Sequence, residues 1–438
     1  MQQNNYNRTI IKLSILIISI YTALPRPSSI DIFQYIKFEL FWIFVISIVY
    51  ISFFNYSKKI FNTSQLRFVK YYLFWNIIMS IVGLFLAEGY WEYKSLFYNA
   101  FGLFMPILCF TFISPYLLQK ILHFFFGTVL IVLFFLSPFI DINSYSIFLL
   151  PFIILLVFFN LLDNKWKVIS IITAIFSIFI NFDARSSVIK FSVVLLVIIL
   201  SNLTIISEKW LNGIRIVLMV LPFFLLSTTI IGVFNPFNMD SYINGSFTTE
   251  LLDQDGNSFE TNLKSDTRTL LYVEVIETAN YYKSWIYGRS PAKGNKTDLF
   301  YNMKDITGKA ERSRNEVAIL NIFMWTGLIG VILYFLIFFR ATWLAINKSN
   351  SKYIKLLGLY LAFRWFYSWV EDINDYTINY YVLWILIAIA FSDNFRSMND
   401  RELRMWIRGI FNKRYQMGNV SRAENIVKNE NSSTHNLP

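Results

Sequence analysis

From Val317 to Phe339 the chain reads VAILNIFMWTGLIGVILYFLIFF, 23 residues without a charge, closed by Glu316 before and Arg340 after. A helix of about 20 such residues crosses the ~30 Å hydrocarbon core of a bilayer. Backbone groups left unpaired in lipid are too costly, so a run like this is a helix or part of a closed barrel. It is continuously apolar rather than alternating, which excludes the barrel. Similar runs lie on both sides of it. Spans are expected at residues 10–24, 38–56, 71–88, 95–114, 121–140, 145–162, 168–182, 188–206, 214–234, 316–340, 355–371 and 377–393. The expected fold class is an all-α polytopic membrane protein with about twelve transmembrane helices. Composition agrees: 55% of the 438 residues are hydrophobic and 15% charged, against about 25% charged in soluble domains.

The positions of Lys and Arg give the helices a direction. Cytoplasmic loops collect these residues. With the N-terminus inside, 23 of the 39 Lys and Arg fall in inside segments, including Lys58, Lys59, Arg67 and Lys70 in one loop and eight residues after Asn394. One misplaced helix would invert every later loop. The net charge of +11 is thus a matter of membrane topology, and nucleic acid is not an expected partner. The chain divides into helices one to nine (residues 1–234), an extracytoplasmic loop (235–315), helices ten to twelve (316–393) and a basic cytoplasmic tail (394–438). The tail is expected to be disordered beside anionic lipid.

The loop is too long to be a mere connector. Its 10 Lys and Arg nearly cancel its 11 Asp and Glu, so an anion site there must come from individual residues placed by folding. Thr267 to Gly288 is expected to form a helix on the membrane surface, with Leu270, Val273, Ile276, Ala279, Tyr282 and Ile286 as its apolar side and Glu274, Glu277 and Lys283 exposed. Gly288 would stop it. Arg268 opens this helix, Arg289 follows it, and Arg312 and Arg314 stand just before the next span. Arg185 stands on the same side at the outer end of helix seven, with Asp183 nearby. Arginine on the outer face runs against the usual bias. Its fork binds phosphate oxygens in pairs and keeps its charge near lipid, so an outer-leaflet diphosphate fits. The competing reading is that each arginine pairs with a nearby acid.

Other chemistries find little support. The only cysteine, Cys109, lies in an apolar run, and the two histidines, His123 and His435, lie on the inner side. No Cys- or His-based metal centre is expected. Gly294-Asn295-Lys296-Thr297 lacks the spacing and preceding strand of a phosphate loop. No cofactor is implied.

The order of these features resembles the bacterial O-antigen polymerase and O-antigen ligase superfamily. Asp183-Ala184-Arg185-Ser186-Ser187 is similar to its Ser-Arg-small stretch, although Ala184 precedes the arginine here. Arg268 through Gly288-Arg289-Ser290 looks like its periplasmic helix and following glycine. Arg314-Asn315-Glu316-Val317-Ala318-Ile319-Leu320, with Trp325-Thr326-Gly327-Leu328-Ile329-Gly330, resembles its His-Asn-x-x-Leu and Glu-Thr-Gly-Leu-Ile-Gly signature. The family's ligases hold histidine where Arg314 stands, which favours the polymerase. The resemblance implies a GT-C-like, metal-independent glycosyltransferase of the bacterial inner membrane, with both termini cytoplasmic and a periplasmic active face. It would join undecaprenyl-diphosphate-linked oligosaccharide repeat units, with a chain-length regulator as a partner beside the bilayer. Arg185, Arg268 and Arg289 would hold the diphosphate. Arg314, Arg312, Asn315, Asp183 and Arg364 would line the substrate path. Glu316, Glu311, Asp266 and Asp183 are the candidate bases, with Glu316 favoured by its place beside the motif. A ligase and a lipid-linked oligosaccharide flippase are the alternatives.

Overall fold

The computed structural model describes residues 2–23, 36–58, 64–136, 138, 145–180, 185–202, 207–238, 248–252, 258–262, 268–297 and 308–417. Helices dominate. The first group is α1 Gln2–Ala23, α2 Ile36–Ser57, α3 Arg67–Leu86, α4 Tyr90–Phe104, α5 Cys109–Phe112, α6 Pro115–Phe124, α7 Leu130–Phe135, α8 Tyr145–Phe148 and α9 Phe152–Val157. Next come α10 Asn164–Phe179, α11 Arg185–Asn202 and α12 Glu208–Ile231. The loop holds α13 Thr269–Tyr282, an antiparallel pair β1 Thr248–Leu252 with β2 Ser258–Asn262, and a two-residue ladder of β3 Asn295–Lys296 with β4 Glu311–Arg312. The last group is α14 Ala318–Asn347, α15 Lys352–Tyr367, α16 Ile378–Phe391, α17 Asp393–Ser397 and α18 Asp400–Phe411.

Six helical stretches are long and apolar enough to cross a membrane: Leu40–Ser57, Ser64–Leu86, Tyr90–Phe112, Pro115–Phe135, Glu208–Ile231 and Ala318–Asn347. The chain is an all-α, multi-pass membrane protein. Its periphery suits lipid: Phe85, Phe134, Phe135 and Ile231 stand outward and exposed, a surface too apolar for water. The interior is built around α16. Every residue from Ile378 to Phe391 is buried, as befits a helix apolar on all sides. Without a hydrophobic drive between helices in lipid, contacts of this kind rest on close packing and interhelical hydrogen bonds.

Proline marks two of the interruptions. Pro106 lies in a 3-10 turn between α4 and α5, and Pro151 directly precedes α9. Pro222 is accommodated inside α12 without a break. The expected sixth span, 145–162, is therefore two short helices and a turn rather than one rod.

Polar links sort the helix ends into two sets. At the loop end, the backbone N–H of Ile378 donates to Thr22 Oγ1 (3.1 Å) and Lys309 pairs with Glu88 (2.9 Å). At the opposite end, Lys352 Nζ donates to the Ser201 carbonyl (3.1 Å) and Asn212 Nδ2 to Asn347 Oδ1 (2.7 Å). Gln119 Nε2 there donates to the Trp406 carbonyl (2.7 Å).

Two expectations need correction. The tail after Asn394 is folded at least to residue 417. Asn399 caps α18 reciprocally with Glu402, and Leu403, Trp406, Ile407 and Ile410 are buried against the bundle. Fully burying an apolar side chain contributes about 1.5–3 kcal/mol, so four of them outweigh the segment's basic charge. The loop helix is also shorter than expected, ending at Tyr282 with Lys283 in the left-handed conformation. Its buried face is Leu271, Tyr272, Val275, Thr278 and Ala279, whereas Leu270 and Val273 are exposed. Glu274, expected on the surface, is 7% exposed and accepts a hydrogen bond from Thr297 Oγ1 (2.7 Å). A buried carboxylate needs such partners, and the loop supplies them.

Candidate functional site

The loop is fastened to the bundle through a break in α14. Gly327 has φ +65° and interrupts the helix. The segment Trp285–Ser290 fills the break. The backbone N–H groups of Arg289 and Ser290 donate to the carbonyls of Met324 (2.6 Å) and Trp325 (3.1 Å), and that of Leu328 donates to the Trp285 carbonyl (2.8 Å). Backbone groups freed by a broken helix are thus paired again, as a membrane interior requires. Gly288 has φ +78°, and a Cβ on it would come within 2.6 Å of the Gly327 nitrogen; a Cβ on Gly327 would meet the Gly288 nitrogen at the same distance. Two glycines, Gly288 and Gly327, 39 residues apart in sequence, therefore allow one backbone to pass against another.

This splice fixes where the loop arginines stand. Arg289 lies over the Tyr282 ring at 3.7 Å, donates to the Gly294 carbonyl and pairs with Glu311 at 3.1 Å. Arg268 Nη1 pairs with Glu316 Oε2 (2.9 Å), and its Nε donates to the Val370 carbonyl (3.3 Å). Arg314 is gripped by two carboxylates, Asp372 through Nε and Nη2 (2.7 and 2.9 Å) and Asp375 through Nη1 (2.7 Å). Burial alone would lower the Arg314 pKa; the charges of Asp372 and Asp375 outweigh it and raise it. For Arg312, on β4, burial prevails over the charges of Glu274 and Glu316 and lowers it.

Beneath this layer lies a second one inside the bundle. Lys190 from α11 pairs with Glu371 at 2.5 Å, and Arg364 from α15 approaches the same carboxylate at 3.8 Å. Their side chains are 2%, 9% and 3% exposed for Lys190, Glu371 and Arg364. Arg364 Nη2 also donates to Asn379 Oδ1 (3.2 Å), while its buried Nε has no hydrogen-bond partner among the described residues. Two buried cations share one carboxylate. An unbalanced charge removed from water is costly.

Asn315 is 1% exposed. Its N–H donates to Asn321 Oδ1 (2.6 Å), and Asn321 Nδ2 returns a bond to the Asn315 carbonyl (2.9 Å). The buried Asn315 Oδ1 has no hydrogen-bond partner among the described residues. Arg185 is the first residue of α11; its side chain, and Asp183 and Asp266 altogether, lie outside the described residues. Of the four candidate bases, Glu311 is held by Arg289, whereas Glu316 is 66% exposed beside Arg268. The structure thus brings Arg268, Arg289, Arg314, Glu316 and Arg364 to one end of the bundle, three of the four arginines with a carboxylate within 3.1 Å and Arg364 with one at 3.8 Å. The pairing of Lys190 with Glu371 was not foreseen from the sequence. The signal was a lysine early in an apolar span, which rarely stands there without a partner.

The fold and this charged end define an all-α, multi-pass membrane protein with a buried cluster of paired charges under a docked loop. No protein-family model matches the chain, and no curated protein matches it.

Proposed function

We propose that this protein is an O-antigen-type polysaccharide polymerase. It would cross the bacterial inner membrane twelve times with both termini in the cytoplasm, and join undecaprenyl-diphosphate-linked repeat units at its loop end. The observation that carries the reading is the buried pair Lys190 and Arg364 on a single carboxylate, lying under the loop that bears Arg268, Arg289 and Arg314. A diphosphate would balance that charge. The acceptor sugar's hydroxyl attacks the anomeric carbon of the donor chain, the bond from that carbon to the diphosphate oxygen breaks, and undecaprenyl diphosphate leaves. Glu316 takes the hydroxyl proton. Positioned cations stabilise the departing negative charge. Arg268 and Glu316 form an exposed pair, so a phosphate can displace the carboxylate from the arginine and free it as base.

The test is a surface-polysaccharide gel. Arg185→Ala, Arg268→Ala and Arg289→Ala are expected to shift long chains to a single repeat unit on the lipid core. Normal chain lengths in all three, at normal protein levels, overturn the site. Loss of all attached polysaccharide would instead mark a ligase. The buried Lys190–Glu371 pair also suits a transporter, in which intramembrane charges mark the substrate path. A deletion strain decides that point: a flippase defect leaves no repeat units on the outer leaflet.

A further inference from the structure

A second basic site lies at the end of the bundle away from the loop, and nothing in the proposed reaction uses it. A cavity of about 300 Å³ opens there between the start of α10 and the amphipathic helix α18, lined by Asp163, Asn164, Lys167, Arg404 and Arg408 among others. A water's share of liquid volume is about 30 Å³, so the space admits a far larger group. Its charge is one-sided. Lys167 lies in the first turn of α10, and Arg404 and Arg408 are four residues apart on one face of α18. The only carboxylate lining it among the described residues, Asp163, pairs with Arg408 at 2.8 Å. Arg404 enters no ion pair among the described residues, and Arg408 Nε is buried without a hydrogen-bond partner.

Asp163 occupies the N-cap position of α10, yet its side chain caps nothing. Its carboxylate leans to Arg408 instead, which leaves the positive end of the α10 dipole open to the cavity. The walls are firmly held. Trp166 stacks on Phe411 with ring centroids 3.7 Å apart, and His123 Nδ1 lies 2.6 Å from the Ile410 carbonyl. Two guanidinium forks, an ammonium and a helix start converge on one space, the donor set that suits phosphate oxygens.

We propose that this cavity binds a phosphate group, carried by an anionic phospholipid of the adjacent leaflet or by a soluble phosphate. The site is separate from the loop-end charge cluster and stands whether or not the protein is a polymerase. Occupancy would tie α18 to the foot of α10.

The test uses the full-length protein in two arms. In one, protein is released from nanodiscs of equimolar phosphatidylcholine and phosphatidylglycerol, and retained lipid is read by native mass spectrometry. In the other, protein in detergent is titrated with inorganic phosphate and its melting temperature followed. A retained phosphatidylglycerol assigns the lipid source; a rise in melting temperature with phosphate alone assigns the soluble one. In the responding arm, the exposed Arg404→Gln change is expected to weaken binding about ten-fold. Arg401→Gln, which removes a charge from the same helix outside the cavity lining, is expected to leave it unchanged. Asp163→Asn, which releases Arg408, is expected to strengthen it, an outcome that a misfolded variant would not give. Silence in both arms, equal losses from Arg401→Gln and Arg404→Gln, or weaker binding by Asp163→Asn overturns the proposal.

Discussion

Lys190 and Arg364 reach Glu371 from two different helices, and the three side chains behave as a unit. Glu371→Gln leaves two buried cations facing each other. Removing one partner of a buried pair costs about 3–5 kcal/mol, so this variant is expected to lose most of its thermal stability in detergent. Lys190→Met keeps the Arg364–Glu371 contact and is expected to fold at near-normal levels while chain elongation falls. An unchanged melting temperature for Glu371→Gln would contradict this reading of the triad. At the surface, Glu88 holds Lys309 at 2.9 Å, and that hydrogen bond, then the charge of Lys293, lowers its pKa. A depressed carboxylate adds stability above its unfolded pKa and loses it as pH falls through the folded value. Glu92 holds Lys293 and Lys309 as well, at 2.7 Å each, and despite its burial these hydrogen bonds lower its pKa to about 2. Loop anchoring at this point is therefore expected to be lost only as pH falls to about 2, seen as faster pepsin cleavage of the loop. The outer arginines were legible in sequence because they run against the charge bias of membrane proteins. Their partners were not: Lys190 and Glu371 are 181 residues apart, and no local pattern records such a meeting.

Among the elements, the broken helix α14 and the segment that fills it depend on one another. Gly288→Ala and Gly327→Ala each place a Cβ within 2.6 Å of backbone atoms at a positive φ. Strain of about 1–3 kcal/mol is expected from the dihedral alone, and the clash adds to it. Both variants should expose the loop to protease between Arg289 and Glu311 while leaving the apolar helices resistant. Resistance equal to the parent's would show that the splice does not hold the loop. Both glycines were visible as parts of two separate motifs, but their contact was not, since each was read by its own neighbours. The loop helix illustrates a similar limit. Its apolar residues at helical spacing were seen, but its buried face turns on Leu271 and Tyr272, because the loop wraps around Glu274. The short amphipathic helix α18 escaped notice for the opposite reason. Arg401, Arg404 and Arg408 dominate its composition, and only packing shows that Leu403, Trp406 and Ile407 outweigh them.

Across the whole molecule, the apolar runs were the plainest signal, and six helical stretches are long and apolar enough to cross a membrane. Helix direction rested on Lys and Arg alone. A single cysteine makes the sidedness easy to probe. In a Cys109→Ser background, Lys309→Cys is expected to react with an impermeant maleimide on intact spheroplasts, and Lys348→Cys only after the membrane is opened. Labelling of both from outside would break the twelve-crossing topology. The central claim is that the loop end joins lipid-linked repeat units. The most direct measurement is elongation by the purified protein in liposomes, given only undecaprenyl-diphosphate-linked repeat unit and no nucleotide or metal. The expected result is a ladder of products lengthening by one unit at a time with release of undecaprenyl diphosphate, lost in Arg268→Ala and Lys190→Met. A substrate that stays at one unit with folded parent protein, while the same liposomes move it across the bilayer, would contradict the account.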